Sequence, residues 1–143
     1  MAARRFLHFG FRVHDIDATM KAYEDLLGIA WDPVQEYEIP NGGADGGSSR
    51  SKVTHGKTGD GVEIEMVQYL EGVPVDENVL AGREGVSHIA FVVDDLAAER
   101  AAAEAKGIAI VGEGSAPRAS WIFLHDKRLG GALVQLVQLN QAR

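Results

Sequence analysis

One pattern occurs twice in this chain. Residues from Leu7 read LHFGFRVHDIDATMKAYEDLLGIA, and those from Ser87 read SHIAFVVDDLAAERAAAEAKGIAI. With His8 set on His88, Phe11 falls on Phe91, Val13 on Val93, Asp15 on Asp95 and Ile16 on Leu96. One deleted residue then brings Gly28-Ile29 onto Gly107-Ile108. A second block follows in the same order: GVEIEMVQYL from Gly61 lies over GALVQLVQLN from Gly131, setting Glu65 on Gln135, Val67 on Val137 and Gln68 on Gln138. Such a repeat constrains the fold more than any local propensity, because both copies must adopt one element order. We read two related modules, about 1–75 and 80–143, in one domain spanning 1–143.

Each module opens on a short run dense in Phe, Val and Ile, a strand signal. Asp15 and Asp95 stand where a helix N-cap belongs. Behind Asp15, the residues Ile16, Met20, Tyr23 and Leu27 recur at helical spacing; behind Asp95, Leu96 and a run of alanines favour helix. Gly28 and Gly107 suit left-handed helix ends. Strands are expected over 30–39, 51–58 and 62–69, then 108–111, 121–125 and 132–139, giving the order β-α-β-β-β twice. The Gly/Ser-rich stretch from Asn41 to Ser51 is the longest expected loop, and Gly112–Ser120 is a second.

Composition narrows the function classes. A net charge of -7, from 14 basic and 21 acidic residues, argues against nucleic acid or an anionic membrane as partner. No run approaches the roughly 20 apolar residues of a membrane span, and the opening Met1–Phe6 does not lead into the apolar stretch of a signal peptide. The absence of cysteine removes disulfides and thiolate zinc sites and accords with a reducing, cytoplasmic setting. Any metal site must then be built from histidine and oxygen ligands.

Alternation along the strands assigns faces. In the opening strand His8, Gly10 and Arg12 lie opposite Leu7, Phe9, Phe11 and Val13; in its repeat, His88 lies opposite Ile89, Phe91 and Val93. In the strands that close the modules, Glu63 and Glu65 oppose Val62, Ile64 and Met66, and Gln135 opposes Val134 and Leu136. A lone strand histidine is commonly a hydrogen-bonded structural residue, and alternating polar residues such as Glu63 and Gln138 commonly face water. What distinguishes this set is that both copies carry His at one register and Glu or Gln at another. If the modules pack as a pseudo-twofold pair, His8, Glu65, His88 and Gln135 converge into a site for a divalent first-row metal (Zn, Ni, Co, Mn or Fe) with open positions.

These segments, together with FLHDKRLGGALVQLVQ near the end, resemble the vicinal oxygen chelate superfamily over nearly the whole chain, and most of all its methylmalonyl-CoA epimerase and glyoxalase I branch. The resemblance implies an α+β fold in which two βαβββ modules form a cupped, incompletely closed mixed β-sheet around a divalent metal. The family's ligand positions match His8, Glu65, His88 and Gln135. It also implies a small-molecule substrate and a homodimer. Epimerase-like relatives carry glutamate where this chain has Gln135, and an amide is no base near neutral pH. Glu65 is therefore read as both charge-balancing ligand and proton acceptor, with Glu36 and Glu38 on the second strand as rival bases.

The expected chemistry is that of a metal-dependent isomerase, epimerase or lyase acting on a small carbonyl or acyl-CoA thioester through a chelated enolate. Arg12, on the face of His8, is a candidate for holding a substrate carboxylate, with an ion pair to Glu63 as its competing role. Arg118, Lys127 and Arg128 are the basic candidates for CoA phosphates. An iron dioxygenase using His8, His88 and Glu65 is the second reading, and a metal-free binding or resistance protein the third. His14, His55 and His125 are assigned structural or surface roles, and Trp31 and Trp121 packing roles at or near the cup.

Overall fold

In the computed structural model, which describes residues 4–140, the backbone runs β1 (Arg5–Arg12), α1 (Ile16–Leu27), β2 (Gln35–Ile39), β3 (Ser49–Lys57), β4 (Glu63–Glu71), α2 (Glu77–Leu80), β5 (Gly85–Val92), α3 (Leu96–Ala105), β6 (Ala109–Ala116), β7 (Ala119–His125) and β8 (Leu133–Leu139). The outer ends of the two expected modules, residues 1–3 and 141–143, lie outside the described residues, and with them the start of the Met1–Phe6 segment. The eight strands form one cupped mixed sheet in the order β2-β3-β4-β1-β5-β8-β7-β6. Each module contributes four neighbouring strands, with its first and last strands parallel. The modules meet where β1 and β5 run antiparallel. This is the cupped mixed sheet that the family resemblance implies.

The helices begin where the aspartates place them. Asp15 accepts from the Ala18 N–H and Asp95 from the Ala98 N–H, each at 3.1 Å. A second, repeated device ties each helix to its own closing strand. Gln68 Oε1 accepts the Ile16 N–H at 3.0 Å, and Gln138 Oε1 accepts the Leu96 N–H at 2.8 Å. Both glutamines thus satisfy N–H groups that a helix leaves without internal partners. Gln138, expected to face water, is committed to this contact.

Two apolar clusters sit between the helices and the outer face of the sheet. One gathers Val13, Ile16 and Met66 against α1, and the other Val93, Ala103, Ile122, Leu124 and Leu136 against α3. Ile16, Met66 and Ile122 are essentially inaccessible to solvent.

Two expectations about elements need correction. The strand expected from Ala30 begins at Gln35, and Trp31 makes only an isolated bridge to Gly56; Pro33 lacks the N–H that a continuous ladder would use. The expected loop over Gly112–Ser120 is instead a long hairpin turning at Pro117-Arg118. Its glycines serve space rather than turning. A Cβ on Gly114 would stand 2.5 Å from Trp121 Cζ2, and one on Gly112 would stand 2.4 Å from Val75 Cγ2. The link between modules, to which the sequence assigns no element, carries the short helix α2, with Asp76 and Val75 buried beside it. Among the described residues no helix is long and apolar enough to cross a membrane.

Candidate metal centre

The concave face encloses a cavity of about 570 Å³. Its walls are largely apolar, with Val53, Val67, Val137, Trp121, Phe123 and Leu139 among them. Its polar groups include His8, His55, Glu63, Glu65, His88 and Gln135. The four residues singled out by the repeat thus share one cavity, two from each module.

The seam between modules explains how the histidines meet. Across β1 and β5, His8 stands opposite Ala90 and Gly10 stands opposite His88, so each imidazole leans over a small residue of the other strand. Gly10 is indispensable to this: a Cβ there would lie 2.0 Å from His88 Cε1. Phe123 packs edge-on to the His88 ring, with centroids 5.4 Å apart. The two Nε2 atoms come within 3.2 Å of each other. Glu65 Oε1 lies 3.2 Å from His88 Nε2 and 3.7 Å from His8 Nε2. Both rings are almost fully buried, at 4% and 3% exposure.

Outer contacts settle which ring atoms face the cavity. Glu63 Oε2 lies 3.2 Å from His8 Nδ1. A carboxylate can only accept, so Nδ1 carries the proton and Nε2 offers its lone pair inward. Ser87 Oγ lies 3.2 Å from His88 Nδ1, and Ser87 also acts to hold down the carboxyl of the buried Asp76. Glu63, expected to face water, is therefore His8's orienting partner. The same contact lowers its carboxyl below the usual range. Burial alone would raise the Glu65 carboxyl, but the imidazoles of His8, His55 and His88 around it outweigh that and hold the group well below its ordinary value.

These donors fit a divalent cation. Two ligands about 2.1 Å from one ion, at angles between octahedral and tetrahedral, stand about 3.0–3.4 Å apart. Two of the three separations here, both 3.2 Å, fall in that range, and the third is 3.7 Å. Gln135 supplies an independent indication: its Oε1 is buried with no hydrogen-bond partner, an arrangement that carries a desolvation cost unless something else binds there. Two imidazoles, one carboxylate and one amide oxygen suit zinc, cobalt, nickel, iron or manganese.

Other candidates lie elsewhere. Glu36 and Glu38 are exposed on the outer side of β2, because alternation turns Tyr37 and Ile39 into the cavity instead. Glu36 is bound to Arg50 at 3.1 Å, so neither rival base is brought to the centre. Arg12 is not among the cavity-lining residues. It pairs with Asp76 at 3.4 Å and Glu77 at 3.0 Å rather than with Glu63, behind the Tyr69 ring. Removing it would strand the buried Asp76 carboxylate, so Arg12 belongs to the structure beneath the site. Of the basic candidates for phosphate, Arg118 lines the cavity, whereas Arg128 is folded onto Asp126 at 2.7 Å.

His55, set aside by the sequence, lies on β3 and donates from Nε2 to Glu65 Oε2 at 2.8 Å. Burial pulls its imidazole down, but the hydrogen bond and charge of Glu65 more than offset that and leave it raised. The repeat hides this residue, because its counterpart across from Gln135 is Phe123. Only its place on a strand two positions from Val53, on the cavity face, could have indicated it.

Comparison with known proteins places the chain. The model of the glyoxalase/bleomycin resistance protein/dioxygenase superfamily matches residues 7–124. The ethylmalonyl-CoA/methylmalonyl-CoA epimerase of Cereibacter sphaeroides is 30% identical over 143 residues, covering 94% of this chain and 98% of that protein. The crystal structure of methylmalonyl-CoA epimerase from Mycobacterium tuberculosis superposes with a TM-score of 0.71 at 23% identity, over 96% of this chain and 89% of that one. A variant of the Streptomyces coelicolor methylmalonyl-CoA epimerase, in complex with 2-nitronate-propionyl-CoA, superposes at 0.63 with 26% identity, over 94% and 96% of the two chains.

Proposed function

The chain belongs to the glyoxalase/bleomycin resistance protein/dioxygenase superfamily, and from that premise we propose that it is a divalent-metal-dependent epimerase or isomerase. Its substrate is a small carbonyl compound or acyl-CoA thioester, and its reaction begins with removal of the proton beside the carbonyl. One observation carries the proposal: His8 Nε2, His88 Nε2 and Glu65 Oε1 converge within 3.2–3.7 Å, in a cavity where Gln135 Oε1 is buried without a partner. The homology to methylmalonyl-CoA epimerases makes an acyl-CoA the first substrate to try.

The roles follow from the donor chemistry. When bound, the cation supplies positive charge that stabilises an enolate developing on proton loss, a contribution of several kcal/mol. His8, His88, Glu65 and Gln135 would hold it. Glu63 and Ser87 orient the two imidazoles so that both lone pairs point inward. With the Nε2 lone pairs of His8 and His88 engaged in holding the cation and Gln135 an amide, Glu65 is the donor left to take up a proton and is the proposed base. Its carboxyl, held well below the ordinary value by the neighbouring imidazoles, is ionised at neutral pH. The apolar walls exclude water from the acyl part of the substrate, which strengthens every charge interaction near the cation.

The test is hydrogen exchange. Purified protein should contain about one divalent cation per chain by elemental mass spectrometry. In deuterium oxide it should wash the α-proton out of methylmalonyl-CoA or another α-branched acyl thioester, followed by NMR. Glu65→Gln should slow exchange by roughly 10²–10⁴-fold, the usual contribution of a positioned base. Undiminished exchange in that variant, or exchange by protein stripped of cation, would overturn the assignment.

The two-histidine, one-carboxylate set also supports a second reading, an iron-dependent dioxygenase, since such a triad suits ferrous iron with open positions. Gln135 as a fourth donor crowds that arrangement. Oxygen uptake by the iron-loaded protein with catecholic substrates separates the two.

A further inference from the structure

Glu65 has two carboxylate oxygens with different neighbours. Oε1 faces the two Nε2 atoms of His8 and His88, and Oε2 is 2.8 Å from His55 Nε2. Because a carboxylate only accepts, His55 Nε2 carries a proton whether the imidazole is neutral or charged. The contact is imposed by the backbone: His55 and Glu65 are directly paired across β3 and β4, and Glu65 sits mostly buried between them and β1. A free carboxylate can ligate a cation through one oxygen or both. Here the second oxygen is already committed.

The opposite module shows what such a contact is for. At the matching place Phe123 pairs with Gln135 across β7 and β8 and offers no hydrogen bond, only its edge-on contact with His88. An amide presents one oxygen to a cation in any case and requires no restraint. A carboxylate does. The histidine therefore stands only in the module where the ligand could otherwise take two coordination positions.

We propose that His55 is a positioning residue that confines Glu65 to one-oxygen ligation and so keeps a coordination position open for substrate. The role rests on the metal-dependent reading above. The four donors then contribute four atoms, which leaves two positions on a six-coordinate cation for two substrate oxygens. With Oε2 released, Glu65 competes with substrate for one of them.

The experiment compares the full-length protein with His55→Phe, which copies the second module, and His55→Gln, which keeps an N–H donor. Each is loaded with Co(II), whose visible absorption reports coordination number without any substrate, and Co(II) affinity is measured by chelator competition. His55→Phe should show a shifted Co(II) spectrum, as the second Glu65 oxygen replaces a solvent ligand, and a KM for the acyl thioester raised about 10–100-fold, the usual scale for loss of an outer partner. His55→Gln should return the spectrum and most of the KM toward wild type. Should His55→Phe not fold, His55→Gln and His55→Asn carry the test, with the spectrum shifting only in the variant whose amide fails to reach Oε2.

Two results would overturn the proposal. One is a wild-type spectrum and KM in His55→Phe. The other is two cations per wild-type chain falling to one in the variant, which would make His55 a ligand. Wild-type protein that binds no cation at all would instead remove the metal-dependent reading, and this role with it.

Discussion

The two modules share a backbone plan but divide the chemistry unequally. In the first, His8 is flanked by Glu63, and Glu65 is flanked by His55. At the same registers of the second, Leu133 stands beside His88 and Phe123 beside Gln135. Among the described residues, the carboxylates in contact with candidate ligands come from the first module, and the second supplies His88, the neutral Gln135 and an apolar wall. On its outer side His88 meets Ser87 Oγ in place of a carboxylate, with the buried Asp76 of the link nearby. A duplicated frame has one cavity to serve. Once one copy carries the charge, a second buried carboxylate would add desolvation cost and repulsion, so the other copy is free to become apolar.

This contrast can be broken or sharpened by paired substitutions. The largest effect is expected at the ligands themselves. His8→Ala and His88→Ala should each cost at least about 100-fold in cation affinity, beyond the range seen for outer partners. If the centre is shared equally, the two losses match to within several-fold in chelator competition. A cation retained by either variant would show that the ligands come from one module.

The next effect is steric. Gly10→Ala drives a methyl into the His88 ring and should lower cation affinity about 10–100-fold while leaving the protein folded. Ala90→Gly, the exchange at the matching position opposite His8, removes a buried methyl and should cost about 1 kcal/mol of stability but no affinity. Equal affinity losses in both variants would mean that the seam is symmetric and that Gly10 holds no special place beneath His88.

The smallest effect tests what the modules have kept in common. Gln68→Ala and Gln138→Ala each remove the acceptor for one helix N–H and should each cost about 1 kcal/mol by urea denaturation. A difference of more than twofold between them would locate the asymmetry in the scaffold as well as in the cavity.

Much of this was legible in the chain. Matching His8 to His88 and Glu65 to Gln135 identified four cavity residues, because duplication keeps register even where it exchanges residue types. The same logic discarded His55, whose partner in the repeat is a phenylalanine. It also misjudged Glu63, which alternation places on the right face without saying that the sheet curves over it. Arg12 shares the strand face of His8, but α2 arrives from the link and captures it with Asp76 and Glu77. Glu36 and Glu38 are rival bases by the family resemblance, whereas the alternation of β2 turns them outward. Gly112 and Gly114 look like turn residues, yet each makes room for a side chain, Val75 in one case and Trp121 in the other.

The linear order of residues was enough for the doubled β-α-β-β-β plan, the capped helices and the polar stripe of each strand, since periodicity and capping act over a few neighbouring residues. Which polar side chains face one another was decided only in the folded sheet. That depends on the antiparallel register of β1 on β5 and on the curvature that closes the cup. Both arise from packing between segments far apart in the chain, where local alternation carries no information.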